Sequence, residues 1–310
     1  MTVWGKFFRA RELPPLRLEE IPTPDGDVVT LATPDAEADG PTVLFLHGLE
    51  GGLRSHYLGG LIAAARRQGW RPRILLFRTC DGRMAPVRRT YHSGETADLG
   101  LVVGALVARE PGRPLGLVGV SLGGNVLLKW LGERGEAVPA EVRASVAISV
   151  PFDLARCSRA IDTGFAKLYQ WNFLRSLKDK ARRKARQFPD LLPAGRVDAI
   201  RSMWEFDDVF TAPLHGFADA ADYYRQCSSL GFIGRVRRPT LLISAYDDPF
   251  HTPQVLHDVA RACAGNPLVT PEFHDRGGHV GFVGGAPWNP TYYVDDRIAE
   301  FLGPHLVAAA

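Results

Sequence analysis

Cysteine is scarce in this chain: four among 310 residues, Cys80, Cys157, Cys227 and Cys263, with no CxxC pair. That spacing excludes a zinc ribbon or a disulfide framework and suits reduced thiols in or near a core. Long apolar runs are also missing. The longest, at 99–108, falls well short of the ~20 residues a membrane-spanning helix needs. The formal net charge is only +3, too small to imply a nucleic-acid partner. There are no internal repeats and no low-complexity tracts, which excludes a solenoid or a disordered chain. The opening MTVWGKFFRARELPPL has no apolar h-region and no small-residue cleavage site, so the expected location is cytoplasmic. The closing LVAAA reads as a frayed end.

What is present has the composition of a globular enzyme: 45% hydrophobic, 23% charged and 10% aromatic residues. Short apolar runs at 42–46 (TVLFL), 73–77, 115–120, 144–150, 240–244 and 268–273 alternate with helical patterns at 56–68, 97–109, 122–132, 253–263 and 292–302. That alternation predicts a mostly parallel sheet buried on both faces by helices. Before it, 16–20 and 27–32 flank Pro24-Asp25-Gly26, a hairpin signal, and predict two antiparallel edge strands. The interval 154–238 breaks the alternation and is helical, aromatic and basic. The expected architecture is one α/β domain over 1–310, with a helical lid inserted between two strands at about 154–238.

The run at 115–120 ends in Gly119-Val120-Ser121-Leu122-Gly123 and passes directly into a helical pattern. A strand, a sharp Gly-x-Ser-x-Gly turn and a helix form a nucleophile elbow, in which crowding leaves no room for Cβ atoms two residues either side of the serine. The helix start also aims its free N–H groups at a developing oxyanion. The alternative is a strand–helix turn of a nucleotide-binding fold, with Ser121 as an N-cap. The surrounding features decide for a nucleophile.

A serine needs a base. Among nine histidines, His279 in RGGHVGF follows the last strand, on a loop that Gly277 and Gly278 make pliable. This keeps the chain order Ser…Asp…His. His274, at a strand end, is expected to pack or face solvent, and His251, His257 and His305 to play no part. The third member should orient His279. Asp247 and Asp248 both follow the strand at 240–244, and counting from Ala245 favours Asp248, with Asp247 the second choice, bonding backbone or capping the turn. Backbone N–H groups of Leu122 and Leu49 are the expected oxyanion hole, and His47 is expected to support the Leu49 loop.

These residues resemble the α/β-hydrolase superfamily, specifically its YheT-like branch, which also holds animal abhydrolase-domain phospholipases and yeast medium-chain ethanol acyltransferases. The likeness runs from about Leu16 to Leu302. It rests on HGLEGG (47–52), SHY (55–57), YHSGET (91–96), GVSLGGN (119–125), SVPFDL (149–154), EFDDVFTAPLHGF (205–217), ADYYRQCSS (221–229), DDPF (247–250) and GGHVGF (277–282). The resemblance implies a triad of Ser121, an aspartate of the 247–248 pair and His279, acting on acyl esters or thioesters. One position departs from it: Thr79 stands in FRTC where relatives show glycine.

Other segments bear on the substrate. Ser93 or Thr96 is expected to cap the helix after YHSGE, which could instead line the cleft rim above Arg78. Phe165, Leu168, Tyr169, Phe173, Leu174 and Leu177 recur at helical spacing and either pack the lid or line an acyl tunnel. The stretch 177–189 holds six basic residues and one acid. It is either a solvated face or, through 178–186, a contact for an anionic membrane or a phosphate. Glu205 to Asp208 lacks further ligands at metal spacing and suits caps or hinge ion pairs better than a metal.

The expected function is hydrolysis of short- to medium-chain acyl esters by a serine esterase, with a small-molecule ester as partner, no metal and no organic cofactor. The rivals are acyl transfer to an alcohol and a non-catalytic binding protein on the same fold.

Overall fold

Alternation along the central strands explains why the sheet is buried on both faces. In the computed structural model, which describes residues 12–36, 38–192, 195–286 and 288–307, β3 (Thr42–Leu46) is wholly buried. Val43 and Phe45 face one apolar layer, Leu44 and Leu46 the other. The readings of residues 1–11 and 308–310 lie outside the described residues.

β1 (Leu16–Pro22) and β2 (Val28–Pro34) form the expected antiparallel hairpin. With β4 (Arg71–Leu76), β5 (Leu115–Val120), β6 (Val142–Ile148), β7 (Thr240–Ala245) and β8 (Val269–His274) they complete an eight-stranded sheet. Its order is β1-β2-β4-β3-β5-β6-β7-β8. β2 also pairs antiparallel with β4, and the remaining pairs are parallel. Pro271 sits in β8, an edge strand, where the missing N–H costs no ladder bond.

Helices α1 (Leu58–Arg67) and α11 (Tyr293–Leu306) cover one face. Helices α2 (Thr96–Arg109), α3 (Leu122–Arg134) and α10 (Pro253–Ala264) cover the other. Burying each Val, Leu, Ile or Phe of these layers contributes about 1.5–3 kcal/mol.

Between β6 and β7 the chain is helical: α4 (Leu154–Ala160), α5 (Lys167–Gln187), α6 (Arg196–Ala199), α7 (Met203–Phe206), α8 (Ala212–His215) and α9 (Ala220–Cys227). A π-helical turn, Asp207–Thr211, joins α7 to α8. Two small apolar clusters of its own hold this insertion, one around Leu174, Leu177 and Phe206, the other around Tyr223 and Tyr224.

Two local expectations are corrected. Glu95, not Ser93 or Thr96, caps α2, its carboxylate accepting from the Asp98 N–H. A hairpin of β9 (Val283–Ala286) and β10 (Asn289–Tyr292) precedes α11, where the sequence pattern carried no strand signal. Four-residue strands with two glycines and a proline have too little β-branched or alternating character to be legible.

Candidate active site

The loops that carry the predicted site residues all leave the carboxyl ends of β3, β5, β7 and β8, the end of a parallel sheet at which ligands bind. The sharpest is the turn from β5 into α3. Ser121 has φ 54°, a conformation that costs a residue with a Cβ about 1–3 kcal/mol and persists only where the surroundings enforce it. They do so here. A Cβ on Gly119 would lie 2.6 Å from the Gly123 carbonyl oxygen, and one on Gly123 would lie 2.5 Å from that of Leu46. The Ser121 N–H donates to the Ile148 carbonyl at 2.8 Å, fixing the turn to β6.

His279 reaches this serine from the loop after β8. Its Nε2 lies 3.0 Å from Ser121 Oγ, and its Nδ1 lies 2.8 Å from Asp248 Oδ2. An ionised carboxylate only accepts, so Nδ1 carries the proton and Nε2 is left to accept from the serine hydroxyl. Burial alone would raise the Asp248 carboxyl, but the charge and hydrogen bond of His279, with help from His251 and the Phe250 N–H, hold it below the usual range. Asp247 points elsewhere: its Oδ1 accepts from the N–H groups of Gly277 and Gly278 at 2.8 and 2.7 Å. The two adjacent aspartates thus divide the work, one on the imidazole and one on the backbone of the histidine's own loop. Val280, at φ 57°, donates its N–H to Ser149 Oγ and closes that loop.

The loop after β3 is held from several sides. His47 is buried, its Nε2 accepts from the Phe77 N–H at 3.2 Å, and its Nδ1–H therefore donates to the Gly48 carbonyl at 2.8 Å. Burial keeps this ring neutral, lowering it to about 4. The Gly48 N–H donates to the Tyr57 hydroxyl. Glu50, next to Leu49 and at φ 53°, accepts from the hydroxyls of Tyr91 and Ser176 and from Lys180 Nζ. Ser176 and Lys180 belong to α5, so the insertion grips this loop directly. The Leu122 N–H opens α3, where the first amides have no intrahelical acceptor.

Two cavities meet at Ser121. One, of about 100 Å³, is walled by Leu49, Leu122, Leu154, Ile161, Met203 and Phe250. The other, of about 170 Å³, holds His279 and is walled by Tyr57, Tyr169 and Phe173. A larger hollow of about 670 Å³ lies at the amino ends of the strands, beside Pro41, Trp70 and Pro114, remote from these groups. Phe250 packs against His279 with ring centroids 4.0 Å apart and planes tilted by 32°.

The apolar residues expected to pack the insertion or line a tunnel divide three ways. Tyr169 and Phe173 face the cavity, Leu174 and Leu177 pack inside the insertion, and Phe165 and Leu168 are exposed. Of the six basic residues in 178–186, three turn inward. Lys184 is fully buried on the Ala85 and Val87 carbonyls, Lys180 pairs with Glu50, and Lys178 donates to the Asp198 and Ile200 carbonyls. Arg78 does not reach the cleft; it is buried against Asp98 and Asp25.

Asp207 accepts from Thr211 and Tyr224, while Asp208 accepts from the Ala220 N–H at the start of α9, the helix that Asp219 caps. Among the described residues, no three His, Cys, Asp or Glu side chains are grouped as metal ligands would be. Reading the sequence missed Glu50, Ser176, Lys180 and Phe250. Glu50 and Phe250 lie inside quoted motifs, but nothing in the chain signals that α5 folds back onto Glu50.

The sequence pattern of the α/β hydrolase fold matches residues 41–286. YheT of Escherichia coli, a presumed esterase by its name, is 39% identical over 295 residues, 94% of this chain and 85% of its own. Human phospholipase ABHD3 is 27% identical over 310 residues, 97% of this chain and 75% of its own. Among solved structures, the Pyrococcus furiosus esterase Pf2001 has the same fold, with a TM-score of 0.61 at 19% identity over 94% of this chain and 93% of that one. The chain therefore belongs to the α/β-hydrolase fold family, on its YheT-like branch.

Proposed function

We propose that this carboxylic ester hydrolase is a serine esterase in which Ser121, His279 and Asp248 form the triad and Leu49 and Leu122 N–H groups form the oxyanion hole. The observation that carries the reading is His279 bridging Ser121 and Asp248 at 3.0 and 2.8 Å. Ser121 Oγ attacks the acyl carbon while His279 Nε2 takes its proton, and the carbonyl oxygen becomes an oxyanion held by the two N–H groups. His279 then protonates the departing alcohol, leaving an acyl-serine. A water molecule, deprotonated by His279, attacks that ester; the acid leaves and the proton returns to Ser121. The chemistry needs neither a metal nor an organic cofactor.

Cavities of about 100 and 170 Å³ support short- to medium-chain acyl esters. The insertion at 154–238 then serves as the lid of a single domain, since Leu154, Phe173 and Met203 supply walls at Ser121. Four free thiols suit a reducing compartment and support a cytoplasmic location.

The test is hydrolysis of p-nitrophenyl esters from acetyl to palmitoyl by the wild type and by Ser121→Ala. Activity with a short- or medium-chain optimum, lost in the variant, is expected. Activity that survives in the variant would refute Ser121 as nucleophile. Ester exchange outpacing hydrolysis when ethanol is added would mark an acyltransferase, and a folded wild type inert at every length would leave a binding role.

A further inference from the structure

Eight large hydrophobic side chains are exposed among the described residues, and three of them fall within seven positions: Phe165, Leu168 and Trp171, at 65%, 58% and 58%. Exposed apolar residues scattered singly are ordinary, but a cluster marks a contact surface. Trp171 and Leu168 lie on the outer stripe of α5, which continues through Arg175, Asp179 and Arg182 to Arg186. Beside the apolar cluster is a hollow of about 500 Å³ whose walls carry Lys167, Arg175, Lys178, Arg182 and Arg201 with the acid Asp162; at its rim Asp198 pairs with Arg182, and Lys178 and Arg201 also donate to the Asp198 and Ile200 carbonyls. Arg175 stacks over the Trp171 ring at 5.3 Å. An apolar wedge with a five-cation hollow at its side has the chemistry of a surface that enters the headgroup zone of an anionic bilayer, aromatic rings at the boundary and cations on phosphates.

The surface also adjoins the cleft. Phe165 contacts Tyr169 (ring centroids 5.9 Å), Tyr169 contacts Phe250 (5.2 Å), and Phe250 packs against His279. No helix among the described residues is long and apolar enough to cross a membrane, so such contact would be peripheral. A second copy of the chain fits poorly, because a symmetric pairing through this patch would bring the two five-cation hollows together.

We propose that the exposed face of residues 165–182 docks the protein on anionic phospholipid, with Phe165, Leu168 and Trp171 inserting and the hollow beside them taking lipid phosphates. This moves the contact toward the amino end of α5 from the basic stretch 178–186, where Lys180 and Lys184 are engaged inside the protein. The proposal is independent of the serine chemistry and is tested without it.

The experiment is sedimentation of the full chain carrying Ser121→Ala with vesicles of phosphatidylcholine alone or with a minor share of phosphatidylglycerol. Binding is expected only to the anionic vesicles, weakened by added salt. Phe165→Ser/Leu168→Ser/Trp171→Ser should weaken it at least ten-fold. Lys167→Gln/Arg175→Gln/Arg182→Gln should weaken it about five-fold per charge removed. Both triple variants, in the Ser121 background, should hydrolyse a soluble short-chain ester as the wild type does. No binding to anionic vesicles, or binding that survives either triple variant, would overturn the proposal. So would a dimer in light scattering that the apolar triple variant dissolves.

Discussion

Lys180 and Glu50 stand 130 positions apart in the chain, yet the lysine ammonium lies 2.7 Å from the glutamate carboxylate. Glu50 directly follows Leu49, and its carboxylate also takes the Ser176 and Tyr91 hydroxyls, so one buried group ties the loop after β3 to the insertion. Replacing Glu50 by Gln, or Lys180 by Met, should let the loop drift. A misplaced oxyanion donor lowers kcat about ten- to a hundred-fold and leaves KM nearly unchanged. Lys180→Arg, which keeps the charge, should recover part of the loss. Steady-state kinetics on a soluble ester decide it: a rise in KM at constant kcat would assign the pair to substrate binding instead.

The adjacent aspartates should separate under mutation. Asp248→Asn leaves His279 without its anionic partner and favours the wrong tautomer, so kcat should fall on the order of 10⁴-fold with the fold intact. Asp247→Asn keeps an acceptor for the Gly277 and Gly278 N–H groups and should cost about ten-fold or less. Asp247→Ala removes it, and each unpaired buried N–H costs about 1–3 kcal/mol of stability. Equal losses of kcat in the two Asn variants would contradict the division of roles.

Acid should destabilise the protein well before its carboxylates titrate. Burial lowers His47 to about 4, His92 to about 3 and His215 to about 2. Unfolded, these rings titrate near 6.5, so below that pH the unfolded chain binds more protons and the stability they contribute is lost as pH falls. Asp207 runs the other way. Burial raises it to about 6, so its contribution is lost as pH rises from about 4 to 6. Three groups outweigh one. Urea unfolding should show a stability that drops between pH 7 and 5, each group adding at most about 1.4 kcal/mol per pH unit. His215→Leu should make the slope shallower; a flat profile in the wild type would refute the account.

Thr79 stands at φ 66° with its hydroxyl buried and without a hydrogen-bond partner. A left-handed residue with a Cβ costs about 1–2 kcal/mol, and the orphan hydroxyl adds to that. Thr79→Gly should therefore stabilise the protein by about 1 kcal/mol despite the added freedom of the unfolded glycine. The denaturant midpoint is the measure, and a lower midpoint in the variant would show that the threonine methyl earns its place by packing.

Much of this protein is written locally in its chain. Strands such as 42–46 and 240–245 are legible because both faces of a parallel sheet need apolar side chains, which leaves unbroken runs in the sequence. The turn at Ser121 is legible for a steric reason: Gly119 and Gly123 sit where backbone atoms approach too closely for any side chain. The order of strand ends then brings the loops bearing Leu49, Ser121, Asp248 and His279 to one edge of the sheet. Other features were decided only by tertiary packing. Counting from Ala245 favours Asp248 over Asp247, but their division of work comes from the course of the 277–282 loop, which puts one beneath its backbone and the other beneath the imidazole. The basic and apolar residues of α5 look alike in sequence, yet Lys184 is buried while Arg182 is exposed, and Leu174 is packed while Trp171 is bare. Periodicity specifies that a helix has faces, but which face meets the protein depends on partners such as Glu50 and the Ala85 carbonyl, distant in the chain and joined only when the fold closes.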